Sequence, residues 1–86
     1  MKELERDLKA LANKRRLTIL KYLKRVRKAS VGDIAGEIEL SFKATSRHLS
    51  VLASAGILEK EQEGLTMWHR LSAQKQPIVS KALELL

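Results

Sequence analysis

A stripe of cations and hydroxyls runs along the segment 40–58. At about 100° per residue, four of its members fall on one narrow side of a helix and the fifth lies beside them. They are Lys43, Arg47, Ser50 and Ser54, with Ser46 at the edge. The segment contains no acid, so a phosphate-rich partner can come close. Two cations and two hydroxyls at i, i+4, i+7 and i+11 suit a helix in the major groove of duplex DNA, and an ordinary solvated helix face is the alternative.

The ends of this helix are marked by residues with defined capping chemistry. Ser41 can accept a hydrogen bond from a free backbone N–H at the start, and Gly56 can adopt the left-handed conformation that ends a helix. The other side of the helix is predicted to be apolar and buried. Its members are Phe42, Thr45, His48, Leu49, Val51, Leu52 and Ala53.

The composition limits the class of protein. Eighty-six residues predict one small domain, residues 1–86, and a net charge of +7 with a pI near 10.1 favours a polyanionic partner. There is no cysteine, which excludes disulfides and thiolate metal sites. No apolar run is long enough to span a membrane, and the amino-terminal residues lack a signal peptide. We expect a cytoplasmic protein with no membrane association.

Two apolar segments lie at the ends of the chain. Residues 2–12 carry a narrow leucine seam, and residues 77–86 predict a helix that starts at Pro77 and is apolar over more than half its circumference. The leucine seam should pack along a second helix, either within the chain or from a sister subunit. The C-terminal helix is not stable alone in water. The sister subunit is favoured for both, so they are predicted to be dimerisation helices of a homodimer. The predicted interface residues are Leu4, Leu8, Leu11, Ile78, Ala82 and Leu85.

Between these ends, the periodicity predicts a helix-turn-helix over residues 30–55. A second helix, capped by Asn13, should run over residues 14–27 and is rich in cations. Ser30 and Asp33 have the spacing of a capping box for a short third helix, and residues 39–41 form a tight turn into the helix that begins after Ser41.

After Gly56 the period changes from near 3.6 to 2 residues, which predicts a β-hairpin over residues 57–71 with its turn at Glu63-Gly64. Met67, His69 and Leu71 alternate along the second strand and should face the core. The predicted fold is mainly α with a small β-hairpin, a winged helix-turn-helix.

The chain resembles the ArsR/SmtB group of winged-helix transcriptional repressors from Ala10 to Leu71. Residues 10–23 are similar to that family's A-L-A-[DN]-x-x-R-L-x-I-L-x-x-L opening. Residues 40–58 resemble its L-S-x-x-x-x-S-R-H-L-x-x-L-x-x-A-G-[LI]-[LV] segment. The resemblance implies a homodimer that places a recognition helix in the major groove and releases DNA when a signal arrives.

This sequence departs from the family pattern at the metal sites. Ser30 and Gly32 align with the C-x-C motif of the metal sensors, and the C-terminal helix has no His or Asp for the other common site. His48 and His69 lie in different predicted elements, where structural or DNA-facing roles are favoured. No metal and no cofactor is therefore expected. The wing has Leu65 and three nearby glutamates in place of a basic tip, which argues against a minor-groove contact.

The function that these features favour is a sequence-specific regulator of double-stranded DNA, a repressor on a pseudo-palindromic operator. Arg47 is the strongest candidate for a base contact because Arg can bind guanine bidentately. The candidate DNA-binding residues are Ser41, Lys43, Ala44, Ser46, Arg47, His48, Ser50, Arg16, Arg25, Arg27 and Lys28. A winged-helix module for protein assembly is the alternative. An enzyme is disfavoured because the sequence has no cysteine, no Ser-His-Asp order, no phosphate loop and no paired carboxylates in an apolar setting.

Overall fold

A computed structural model describes all 86 residues as five helices and a three-stranded antiparallel sheet, which confirms the predicted fold class. In chain order the elements are α1 Lys2–Leu11, α2 Lys14–Val26, β1 Lys28–Ala29, α3 Val31–Ile38, α4 Phe42–Ser54, β2 Leu58–Glu63, β3 Thr66–Leu71 and α5 Pro77–Glu84. None of the helices combines the length and the apolar composition needed to cross a membrane.

The predicted helix caps are confirmed. The side chain of Asn13 accepts from the backbone N–H of Arg16 at 3.0 Å, and Ser30 and Asp33 form a reciprocal capping box at the start of α3. The Ser41 hydroxyl accepts from the N–H of Ala44 at 3.1 Å. Each cap satisfies a backbone donor that the first turn of a helix leaves unpaired, so these polar residues fix where the helices begin.

The sheet has the order β1-β3-β2 and therefore contains one strand more than the sequence predicted. Lys28 pairs with Arg70 and Ala29 pairs with His69. A two-residue strand is too short to show a period of 2, so β1 was absent from the prediction. The hairpin turn is also one residue later than predicted, at Gly64-Leu65, where Gly64 has a φ of +62° that Gly adopts easily.

The core lies where α2 meets α3, α4, α5 and the sheet, and its fully buried side chains are aliphatic. They include Ile19, Leu20, Leu23, Ile34, Leu52, Ile57 and Val79. Leu11, predicted at the dimer interface, belongs to this core instead and is 7% exposed. The physical reason is its place at the last turn of α1, where the chain folds back onto α2. The part of the seam open to a partner is therefore reduced to Leu4 and Leu8.

Two residues predicted on the buried side of α4 are exposed: Phe42 by 63% and Val51 by 41%. Val51 follows Arg47 by one helical turn, so it lies on the same outward side as that arginine. Phe42 occupies the first turn, beyond the edge of the core. On β3, His69 is buried as predicted, Leu71 is partly buried and Met67 is exposed, because the hairpin extends past the core at its tip.

Candidate nucleic-acid interface

Helix α4 turns its cationic side to solvent, and we call the exposed residues of that side the reading face. They are Lys43, Arg47, Ser50, Val51 and Ser54. Neither Lys43 nor Arg47 has a carboxylate within 4.0 Å, and the guanidinium of Arg47 has no hydrogen-bond partner in the chain. Both charges are free for a ligand. Ala44 and Ser46 are half-buried beside this face, and Ser41 is exposed while it caps the helix.

A shallow groove runs along this helix and mixes polar and apolar contacts. It is lined by Phe42, Lys43, Ser46, Arg47, Ser50 and Val51. Sequence reasoning missed the exposure of Phe42 and Val51 because a helix-period pattern counts every apolar residue as a candidate for burial. The outward position of Val51, one turn from Arg47, was the available signal. Apolar side chains at such a site can contact the methyl group of thymine.

His48 lies at the border between the reading face and the core and is half-buried. Its Nδ1 is 3.2 Å from Nη1 of Arg16. Burial lowers the pKa of His48 below 6.5, and the positive charges of Arg16 and Arg15 lower it further. The imidazole is therefore neutral near neutral pH.

Arg16, predicted to contact phosphates, is partly buried and is directed at the end of α1. Its Nε donates to the carbonyl of Ala10 at 2.6 Å and its Nη2 donates to the carbonyl of Lys9 at 3.1 Å. These carbonyls belong to the last turn of α1, where helices leave acceptors unpaired. With Nη1 directed at His48, each guanidinium nitrogen has an intrachain partner. Arg16 thus joins α1, α2 and α4.

The other predicted phosphate contacts lie at the carboxyl end of α2 and in β1. Arg25 packs over the ring of Tyr22 at 5.4 Å and is 3.7 Å from a carboxylate oxygen of Glu37. Lys28 lies over the ring of Trp68 at 4.9 Å and is 4.0 Å from Glu63. Arg27 has no ion pair, so it is the one residue among Arg25, Arg27 and Lys28 whose charge no carboxylate offsets. Its backbone has a φ of +79°.

The wing carries fewer free charges than its sequence indicates. Arg70 contacts Glu59 at 3.3 Å and Glu61 at 2.9 Å, which reduces the repulsion that these acids present to a phosphate. Near the tip, Leu65 and Met67 are exposed. They line a groove with the first residues of α3 and with Phe42, so the wing tip lies beside the amino end of α4.

The terminal helices lie against each other and leave apolar side chains uncovered. Leu4 is 43% exposed, Leu8 is 46% exposed and Leu85 is 83% exposed. Ile78 and Ala82 are partly buried against the core of the same chain. Nζ of Lys24 donates to the carbonyl of Leu83 at 2.8 Å and holds the end of α5 to α2. The exposed leucines lie on α1 and at the end of α5, and we call them the apolar surface of these two helices.

No three residues among His, Cys, Asp and Glu come together in a way that could hold a metal ion. His48 is on α4, and His69 is on the middle strand of the sheet.

Residues 13–60 match the family described as bacterial regulatory protein, arsR family. Transcriptional activator HlyU of Vibrio cholerae serotype O1 is 39% identical over 79 residues, which cover 92% of this chain and 69% of that protein. The structure of reduced HlyU from Vibrio cholerae has a TM-score of 0.83 at 37% identity, and the match covers 98% of this chain and 84% of the other.

Two further structures share the fold. The homodimeric winged helix-turn-helix DNA-binding domain of Mb0332 from Mycobacterium bovis is 31% identical with a TM-score of 0.83, covering 98% of this chain and 74% of that one. The transcriptional repressor PagR of Bacillus anthracis is 26% identical with a TM-score of 0.77, covering 95% and 93%. The exposed cations of α4 thus lie on a helix-turn-helix shared with known regulators, and the chain belongs to the ArsR family of DNA-binding bacterial regulatory proteins.

Proposed function

We propose that this protein is a homodimeric repressor that reads a pseudo-palindromic operator with two copies of α4. The observation that carries the proposal is the reading face, which has two unpaired cations, exposed serines and no acid on the whole helix. A major groove admits one helix, and phosphates flank it on both sides. Two copies related by a twofold axis would reach successive major grooves, with half-site centres about 10 base pairs apart.

Within the reading face, Arg47 is assigned to a base edge. Its guanidinium is free, and the two-pronged donor geometry matches O6 and N7 of guanine. Lys43, near the start of α4, can reach a base or a flanking phosphate. Ser46 and Ser50 accept or donate, so they tolerate more than one base. Val51 and Phe42 add apolar contacts that suit a thymine methyl group.

The homodimer is supported by the apolar surface of α1 and α5. Leu4, Leu8 and Leu85 leave large apolar side chains in water, and burying such area against a second copy is favourable. The similar Mb0332 domain is a homodimer by its description. A twofold interface uses the same patch on both copies, so the dimer would carry two reading faces related by the same axis.

Repression is proposed because a dimer bound across a promoter blocks transcription by occupancy alone. PagR, which shares this fold, is named a repressor. The similarity to HlyU, which is named an activator, favours activation as the second candidate. Transcription in vitro distinguishes the two roles. Adding the protein should lower transcript from a template carrying its binding site, and a rise in transcript would favour activation.

The binding site itself is found by selection from random duplexes. We expect enriched sequences with two inverted half-sites. The matched control is the variant Lys75→Ala, which removes an unpaired cation between β3 and α5 and should enrich the same site. Failure of the wild-type protein to enrich any sequence would overturn the proposed specificity.

A further inference from the structure

Arg16 connects the helix proposed for dimerisation with the helix that reads DNA. Two of its guanidinium nitrogens bind carbonyls in the last turn of α1, and the third faces His48 of α4. The contact with His48 spans 32 positions in the sequence. It is also a direct polar contact between α2 and the polar border of α4.

This contact also determines which nitrogen of His48 carries the proton. A guanidinium has donors only, so Nδ1 of His48 must accept and the ring proton must be on Nε2. That Nε2 has no partner in the chain and is not among the buried unpaired atoms, so its N–H is open to solvent. It therefore offers a hydrogen-bond donor at the edge of the reading face.

We propose that Arg16 is a positioning residue that holds His48 in its Nε2–H form and fixes α4 to the end of α1, so that His48 can donate to DNA. The inference rests on the proposed reading of DNA by α4. A direct phosphate contact by Arg16 is the competing role, and it conflicts with the intrachain partner that each of the three nitrogens already has. Protonation of His48 would remove the acceptor that Arg16 needs, and the lowered pKa of His48 keeps the ring neutral.

The experiment compares Arg16→Met with Arg15→Met. Arg15 is the matched control because it is adjacent, exposed and without a hydrogen bond or ion pair. In the free protein, the ¹⁵N shifts of the His48 ring report the tautomer. We expect Nδ1 to be unprotonated in the wild type and in Arg15→Met, and the two tautomers to mix in Arg16→Met. The tautomer measurement needs no DNA, so it stands even if no operator is found.

Operator affinity is the second measurement. Arg16→Met should lower affinity for the selected operator by about tenfold, with a smaller loss on random DNA, because a hydrogen bond involving a charged group is lost. Arg15→Met should reduce both affinities equally. Arg16→Lys should not restore the wild-type values, because one ammonium cannot reach all three acceptors. Equal losses for both Met variants, together with an unchanged His48 tautomer, would overturn the proposal.

Changes at His48 separate the two roles of its ring. His48→Asn places an acceptor near the position of Nδ1 but lacks the outer donor, whereas His48→Gln can place a donor near the position of Nε2. If both functions matter, each variant should lose part of the operator affinity and retain the melting temperature of the wild type. Full operator affinity in His48→Asn would overturn the assignment of Nε2–H as a DNA donor.

Discussion

The guanidinium groups of Arg16 and Arg47 are chemically identical, yet only that of Arg47 is free to meet a ligand. Arg16 finds two helix-end carbonyls and an imidazole within hydrogen-bond reach, whereas Arg47 finds no partner on the exposed side of α4. The difference arises from position, because Arg16 follows the turn between α1 and α2. An unpaired, exposed arginine retains its full capacity for bidentate recognition.

At this scale, Arg47→Ala should weaken binding to the selected operator by about 1 to 3 kcal/mol if Arg47 reads a base. The loss on random DNA should be smaller, because only a general electrostatic contact is removed. Titrations on both duplexes at several salt concentrations measure the two losses. Lys75→Ala serves as the control for the loss of one charge, and equal losses on operator and random DNA would reduce Arg47 to a general phosphate contact.

His69 supplies a second prediction, on stability against pH. The ring is buried with both nitrogens unpaired, and burial, followed by the charge of Lys60, lowers its pKa below 6.5. The unfolded chain therefore binds a proton near pH 6.5 that the folded chain does not. The contribution of His69 is full above that pH and is lost as the pH falls from there through the lower pKa of the folded state.

His69→Leu removes that titration and two unpaired polar atoms together. Replacing unsatisfied buried polar groups by an apolar side chain of similar shape leaves the free energy of unfolding nearly unchanged or raises it. The variant should therefore unfold at a similar or higher urea concentration at neutral pH. Its stability should fall less than that of the wild type as the medium is acidified. His48→Asn is the comparison variant, because it removes the other histidine whose pKa is lowered. A parallel loss of stability in wild type and His69→Leu would contradict the assignment.

At the scale of the elements, the sequence predicted those features that have local chemistry. The caps Asn13, Ser30 and Ser41 and the Pro77 start of α5 follow from side chains that satisfy or avoid backbone donors nearby. Strand β1 could not be predicted, because a two-residue strand exists only through its pairing with β3. The three hydrogen bonds of Arg16 were missed for the same reason, since the fold brings their acceptors close to the guanidinium.

The junction between α2 and β1 gives an element-scale prediction. Arg27 has a φ of +79° without being Gly, a conformation that costs of order 1 to 3 kcal/mol. Arg27→Gly should relieve that cost and be more stable to urea than Arg27→Ala by about 1 kcal/mol. If the two variants unfold at the same denaturant concentration, this junction stores no such strain.

Arg25 and Arg27, near this junction, also test contact with the DNA backbone. Arg27 has no carboxylate nearby, whereas Arg25 is paired with Glu37. If both arginines touch phosphates, changing them together to Ala should weaken binding to all sequences alike and make the salt dependence shallower by about one per lost contact. Because of the pairing, we expect the larger share from Arg27. If the salt dependence of binding is unchanged, Arg25 and Arg27 do not contact DNA.

At the scale of the whole molecule, two surfaces have to serve two partners. The reading face is polar and cationic, and the surface formed by Leu4, Leu8 and Leu85 is apolar. Arg16 lies between them, bound to α1 on one side and to α4 on the other. A shift of α1 in the dimer would therefore change the position of Arg16 and its contact with His48. These contacts would couple dimer assembly to DNA recognition.

The dimer is tested at its apolar surface. Deleting residues 77–86 would not serve, because Val79 and Leu83 belong to the core of the single chain and their loss would unfold it. Leu8→Glu and Leu85→Glu change exposed side chains instead. In a twofold interface each substitution occurs on both copies, so like charges would approach one another where apolar area should be buried, and the dimer should dissociate.

Light scattering at tens of micromolar measures the mass. The wild type should have twice the mass of one chain, and the double variant should have the mass of one chain with unchanged helix content by circular dichroism. Leu65→Glu is the matched control, because Leu65 is fully exposed at the wing tip and has no part in the proposed interface. A monomeric wild type would contradict the homodimer itself, and a double variant that remains dimeric would show that the dimer interface is not formed by α1 and α5.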